Sequence, residues 1–253
     1  MGTNIHCTAI VNPLAKIADN AEIGPFSIIH ANVELASGCR IGAYCELGIE
    51  SPLSNGTPLI IEKDSVIRSH SVFYESSRFG EKLITGHRVT VRENTTAGEN
   101  LQIGTLSDVQ GDCVIGDYVR FHSNVHIGKM STVGNFVWIF PYVILTNDPH
   151  PPSTVLIGCT IEDYAIISAA SVVLPGVRVG HHSLVAAHAC VTKDVPPNMI
   201  VAGISAHVVG NTNTIQLRDG TGRAAYPWTK HFKRGYPDSI IADWTKNNGR
   251  ENQ

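Results

Sequence analysis

The chain has 253 residues, of which 43% are hydrophobic and only 16% charged, and its formal net charge is −3. No basic excess is present to meet a nucleic acid backbone, so that class of partner is not expected. No run of 18 apolar residues could span a bilayer, and Met1–His6 lacks the charged and apolar regions of a secretory leader, so a cytoplasmic protein is expected.

The organising signal begins almost at once. Apolar residues recur at every sixth position: Val11, Ile17, Ile23, Ile29, Leu35, Ile41, Leu47. Four places after each comes a small or β-branched partner, as at Ala15, Ala21, Ser27, Val33, Cys39 and Cys45. Gly24, Gly42 and Gly48 follow apolar residues, where a tight corner suits glycine. From Leu47 to Ile61 is 14 residues, two more than two units, and the surplus falls in Ile49–Pro58, a stretch of proline, serine and Asn-Gly. That composition predicts a protruding loop over 48–60.

From Ile61 to Leu145 the register runs unbroken through fifteen positions, and only Thr85 and Ala97 among them are not large and apolar. A helix needs a period near 3.6 and an ordinary strand a period of 2. A period of six predicts an all-β fold, a parallel β-helix with one short strand and one corner per unit. Three units close a triangular coil, so residues eighteen apart stack, about 4.8 Å from coil to coil.

After Leu145 a polar, proline-rich loop interrupts the solenoid at 146–155, and long loops on regular scaffolds are preferred sites of function. From Leu145 to Ile161 is 16 residues, four beyond two units; the repeat then continues through Ile167, Val173, Val179, Val185 and Val191 to Val195-Pro196-Pro197. The units add up to nine to ten coils. The solenoid is therefore expected over 1–206. A tail over 207–253, basic and aromatic, with a helix near Ser239–Trp244, is expected to pack on the last coil. The six cysteines show no CxxC spacing, and Cys39, Cys45 and Cys113 sit at small inward positions, so neither a disulfide framework nor a metal site is expected.

The stacking rule places chemistry. Glu93, Gly111, Lys129 and Asn147 share one column, and Thr90, Asp108, His126 and Ile144 another. His126 thus lies one coil from Asp108, the arrangement that orients an imidazole and raises its basicity. Asn124, His126, Asn147 and Asp148 are expected within a few ångström of one another.

Repeats such as Ile23-Gly24-Pro25-Phe26-Ser27 resemble the left-handed β-helix (hexapeptide-repeat) acyltransferases. Asn4–Gly48 resembles the start of UDP-N-acetylglucosamine O-acyltransferase. Arg120–Pro152, with Ser123-Asn124-Val125-His126-Ile127 and Leu145-Thr146-Asn147-Asp148, is more similar to nucleotide-sugar N-acyltransferases of surface polysaccharide (lipopolysaccharide) biosynthesis. Ala189–Pro197 is similar to the end of the repeat in many members.

The resemblance implies a left-handed coil and a homotrimer with active sites at subunit interfaces. It also implies a CoA thioester donor, acetyl-CoA or another acyl-CoA, along the groove near the C-terminal coils. Small residues Ser168, Ala169, Ala186 and Ala187 would admit its pantetheine arm, Lys193 would meet a phosphate, and a backbone N–H near Gly128 would hold the oxyanion. The acceptor, a nucleotide-linked amino sugar, would meet Arg92, Glu93, Asn94, His122, Asn124 and Lys129. Asn147 and Asp148 would hold its amine, and His126 or His150 would serve as base.

One departure from the lipid A enzymes stands out. Their Asn-x-His-x-x-His motif reads Asn124-Val125-His126-Ile127-Gly128-Lys129 here, with a lysine replacing the second histidine. Hydroxyl acylation needs a strong base, whereas an amine has only to lose its ammonium proton, so the change favours N-acylation. The rival readings are an O-acyltransferase using acyl carrier protein, and a zinc carbonic anhydrase on the same fold drawing on His122, His126 and either His87 or His150.

Overall fold

The computed structural model describes residues 2–250, with side chains through Lys246. It is a left-handed parallel β-helix whose strands are mostly two residues long, most of them ending on a residue of the six-residue register. Three sheets, parallel except for the last strand of the first, form the prism: a first face of twelve strands beginning at Asn4–Ile5, a second of ten beginning at Ile10–Val11, and a third of nine beginning at Lys16–Ile17. Nine coils are complete, a tenth closes through the bridge Val179↔Val195, and Met199–Gly203 begins an eleventh.

The register residues form one continuous core; Ile61, Ile67, Phe73, Phe79, Ile127 and Leu145 are wholly buried. Each such side chain contributes roughly 1.5–3 kcal/mol by leaving water. Cys39, Cys45, Cys113 and Cys159 join that core, and desolvation raises their thiol pKa values, to about 11 for Cys39 and Cys113 and about 12 for Cys159.

The corners are built differently from the sequence expectation. Three residues past the apolar position, at Phe26, Tyr44, Asn94, Asp112, Asn124 and Phe136 among others, the backbone adopts φ near +50 to +60°. The turn is made there, mostly without glycine. Gly24 and Gly42 serve close approach instead: a Cβ on Gly24 would lie 2.8 Å from the Gly42 carbonyl carbon, and one on Gly42 would lie 2.6 Å from the Ser69 nitrogen.

Both loops leave the same kind of corner, between second and third faces. Leu35 pairs with Ile61 and Leu145 with Val173, spacings of 26 and 28 against the regular 18, so the insertions carry eight and ten extra residues. The shorter surpluses expected from counting are corrected by this pairing: each loop replaces a single corner, not two units.

The end of the prism is closed by a hairpin, Met199–Gly203 running antiparallel to Ala206–Asn211. The start of the tail therefore packs on the last coil as expected, but its aromatic part does not stay there. It descends along the first face, where Trp228, Tyr236 and Trp244 pack against Tyr118, Phe136, Trp138, Tyr164 and Ile166. Trp138 Nε1–H donates to the Tyr236 hydroxyl at 3.1 Å, and the buried Arg120 guanidinium lies 5.0 Å over the Tyr236 ring. The helix of the tail is longer than expected, Asp238–Arg250.

Candidate active site

Asp108 and His126 are direct partners across neighbouring strands of the second face, between Thr90 below and Ile144 above. Both side chains point outward because their successors Val109 and Ile127 point in. His126 Nδ1 lies 3.0 Å from Asp108 Oδ2, and Gln110 Nε2–H donates to the same oxygen at 2.5 Å. Desolvation would raise the Asp108 pKa, but the hydrogen bonds from His126 and Gln110, with the Arg92 charge nearby, hold it below the ordinary carboxylate value. An ionised Asp108 accepts the Nδ1 proton, which leaves His126 Nε2 with a free lone pair on an open surface. Gln110 was not anticipated; its signal was outward alternation two residues from Asp108.

At the adjoining corner Arg92, Glu93, Asn94 and Lys129 come together as expected, but mainly with one another. Glu93 is wholly buried, with Arg92 Nε at 3.2 Å and Lys129 Nζ at 3.9 Å. Lys129 Nζ lies 2.8 Å from Asp112. Asn94 Nδ2–H donates to Asp112 Oδ1 and to the Leu53 carbonyl of the first loop, both at 2.9 Å, while its own Oδ1 is buried without a partner among the described residues. Glu93, expected to touch the acceptor, is shut off from it and instead anchors the two cations. Asp112 was missed, although its position eighteen after Asn94 announced the contact.

The second loop is braced from within. Asp148 Oδ1 accepts from the His150 N–H at 3.0 Å and from the Ser153 hydroxyl at 2.9 Å, and its Oδ2 accepts from the Ser153 N–H at 3.0 Å. Desolvation acts to raise its pKa, but these bonds prevail and keep it below the usual range. Asn147 accepts on its backbone carbonyl from Ile157 N–H at 2.8 Å, and His150 is exposed. Among the described residues no hydrogen bond joins Asn147 or Asp148 to His126 or Asn124 within one chain.

Other expected residues are spread over both edges of the second face. His122 and Asn124 lie on the corner between first and second faces. There His122 stacks on Phe140 at 4.6 Å, turned toward the aromatic cluster, and burial lowers its pKa. This stacking separates His122 from the His126 pair, against the zinc grouping that would have used both. Ser168, Ala169, Ala186 and Ala187 follow on the same corner in later coils, whereas Lys193 stands on the opposite corner with Lys129 and Asn147. The expected donor residues thus occupy two corners of one chain. Gly128 offers no oxyanion donor, because its N–H already donates to the Leu145 carbonyl at 2.8 Å in the coil ladder.

The bacterial transferase hexapeptide (six repeats) family matches residues 14–48. The match covers the first coils of the solenoid. Galactoside O-acetyltransferase of Escherichia coli (strain K12) is 31% identical over 118 residues, 38% of this chain and 58% of that protein. The 2,3,4,5-tetrahydropyridine-2,6-dicarboxylate N-acetyltransferase of Staphylococcus aureus (strain bovine RF122 / ET3-1) is 40% identical over 85 residues, 34% of this chain and 35% of that protein. The chain thus spans between about a third and three fifths of the relatives it matches. The Arabidopsis UDP-N-acetylglucosamine acyltransferase structure superposes with a TM-score of 0.54 over 82% of this chain and 74% of that one, at 18% identity, a likeness of fold. No helix among the described residues is long and apolar enough to cross a membrane.

Proposed function

We propose that this chain is a cytoplasmic, CoA-dependent N-acyltransferase, most simply an N-acetyltransferase, acting on the amino group of a nucleotide-linked amino sugar. The observation that carries the reading is the Asp108–His126 pair at 3.0 Å on an open face, beside a Lys129 tied to Asp112. That geometry supplies one oriented imidazole base, and the ammonium beside it is occupied as a salt-bridge partner. A lone imidazole is matched to an amine nucleophile, whose proton is acidic once the nitrogen begins to bond to carbon. Acetyl transfer by both named relatives supports an acetyl donor, and one of them acylates nitrogen.

In this mechanism the neutral sugar amine attacks the thioester carbonyl carbon. The nitrogen proton passes to His126 Nε2 while Asp108 steadies the resulting imidazolium. The tetrahedral intermediate collapses, the carbon–sulfur bond breaks, and the leaving thiolate takes the proton back from His126. Asn147 and Asp148 direct the amine from the loop, Asp148 through Oδ2, which accepts only one bond within the loop.

The test is thiol release from acetyl-CoA in the presence of nucleotide-linked amino sugars and their hydroxyl counterparts. Release with an amino sugar alone is expected. Turnover of the hydroxyl sugar with acyl carrier protein, and none with CoA, would overturn the reading in favour of O-acylation.

A further inference from the structure

A second cleft lies away from the Asp108–His126 face, where the tail meets the last coils. Its volume is about 470 Å³, within the range of small-molecule clefts. Aromatic walls come from Tyr164, Tyr226, Trp228 and Trp244, and amide groups from Asn198, Asn211 and Asn213. No lysine, arginine, aspartate or glutamate lines it.

Each of these features narrows the ligand. With no lysine or arginine, and with its one imidazole, His182, stacked on Tyr164 at 4.7 Å, the cleft has little to neutralise the phosphorylated part of a nucleotide or of CoA. Side-chain amides offer a donor and an acceptor together, the pattern that matches neighbouring hydroxyls. Indole and phenol faces present flat apolar surface with a polar rim. The amides of Asn198 and Asn213 make no hydrogen bond to another described residue and stand at the exposed mouth. Trp228, in the wall, is 6% exposed and its Nε1–H has no acceptor among the described residues.

We propose that this cleft binds a neutral pyranose ring, at a site separate from the one that carries acyl transfer. The ring lies against the half-buried Tyr226 and the indole edges of Trp228 and Trp244 that reach the cleft, and the Asn198 and Asn213 amides hold its hydroxyls. The proposal stands on the cleft's own lining and is independent of the reaction assigned to His126.

The chain provides its own reporter, because its three tryptophans, Trp138, Trp228 and Trp244, all lie at this junction. The experiment titrates the full chain with methyl α-D-glucopyranoside, N-acetylglucosamine and maltose while following tryptophan emission. A saturable change is expected with at least one of them. A response to the monosaccharides makes the ligand a single sugar, and a response confined to maltose makes it a glycan chain; either supports the site. The double variant Asn198→Ala/Asn213→Ala, which keeps every tryptophan, is expected to weaken binding about tenfold with an unchanged melting temperature. Three results overturn the proposal: no saturable change with any sugar, a change that the double variant leaves intact, or competitive displacement of the sugar by CoA. Because no acyl transfer is read, loss of this site and loss of the transferase reading are separate outcomes.

Discussion

Asp108 orients His126 without titrating in its place. The hydrogen bond at 3.0 Å fixes the imidazole tautomer, so replacing the carboxylate should damage turnover far more than binding. Asp108→Asn is expected to lower kcat by about 10²–10⁴ with little change in KM. Equal turnover in the variant and the parent would remove Asp108 from the mechanism. His122 behaves in the opposite manner. Burial against Phe140 lowers its pKa below the ordinary 6.5, so the unfolded chain binds more protons there than the folded one. Stability from this residue is therefore complete above pH 6.5 and declines as pH falls through and below that value. Replacing it by His122→Phe should flatten the loss of melting temperature between pH 7 and pH 5, a window above the range in which the depressed Asp108 titrates. An unchanged slope would show that His122 is free to protonate in the fold.

The same two residues show what the sequence disclosed at this scale and what it hid. Stacking at eighteen residues placed Asp108 against His126, because every strand carries one inward residue and its neighbours are forced outward. It also set His122, four residues earlier, at a different position of the repeat, but could not tell that it turns toward Phe140 and Trp138, beside aromatics brought in by the tail. Nor could it show that Glu93 is buried, since the corner column seen in sequence gives height along the prism and not depth.

Among the elements, the corner between second and third faces carries the densest polar network. Glu93 has no exposed surface and depends on Arg92 and Lys129 for its charge balance, and Lys129 in turn holds Asp112. Removing the lysine leaves a buried carboxylate with one cation, so Lys129→Met is expected to destabilise the chain by about 2–4 kcal/mol in urea unfolding. Adding Glu93→Gln should restore a large part of that loss, because the uncompensated charge goes with it. Additive losses in the double variant would mean that the two side chains do not share energy. Through Asn94 and the Leu53 carbonyl the same network grips the first loop, so increased protease cleavage within 48–58 should accompany the single variant.

Loop lengths at this corner were misjudged for a physical reason. Ile157 lies twelve residues after Leu145 and mimics the repeat in sequence, yet it is 44% exposed and bonds to Asn147 within the loop. Counting apolar residues cannot separate a strand from an isoleucine in an insertion; only pairing can. The left-handed turn positions were hidden likewise, since Phe26, Tyr44 and Tyr142 occupy backbone conformations that their side chains do not favour.

For the whole molecule, the three faces differ in what they show to water. The third face carries ion pairs, Lys16–Glu34 and Arg78–Glu62 at 2.6 Å together with Arg178–Glu162, and the later coils of the first face, around Trp138 and Ile166, are covered by the tail. The second shows Ile10, Ile28, Val72, Ile144 and Val172 around the His126 pair. A partly apolar face with a reactive group at its centre suits self-association, and the fold's relatives led us to expect a trimer. If the chain forms such a ring, the contact between Asp148 and His126 that one chain lacks is expected across the subunit boundary. Co-refolding His126→Ala chains with Asp148→Ala chains tests this directly. Each interface needs an intact imidazole from one subunit and an intact carboxylate from its neighbour, so random mixing in equal amounts should restore about a quarter of parental activity. Either variant refolded alone stays inactive. If the mixture is no more active than the two parents separately, both residues serve the same site from a single chain, and the loop must close onto its own face when substrate binds.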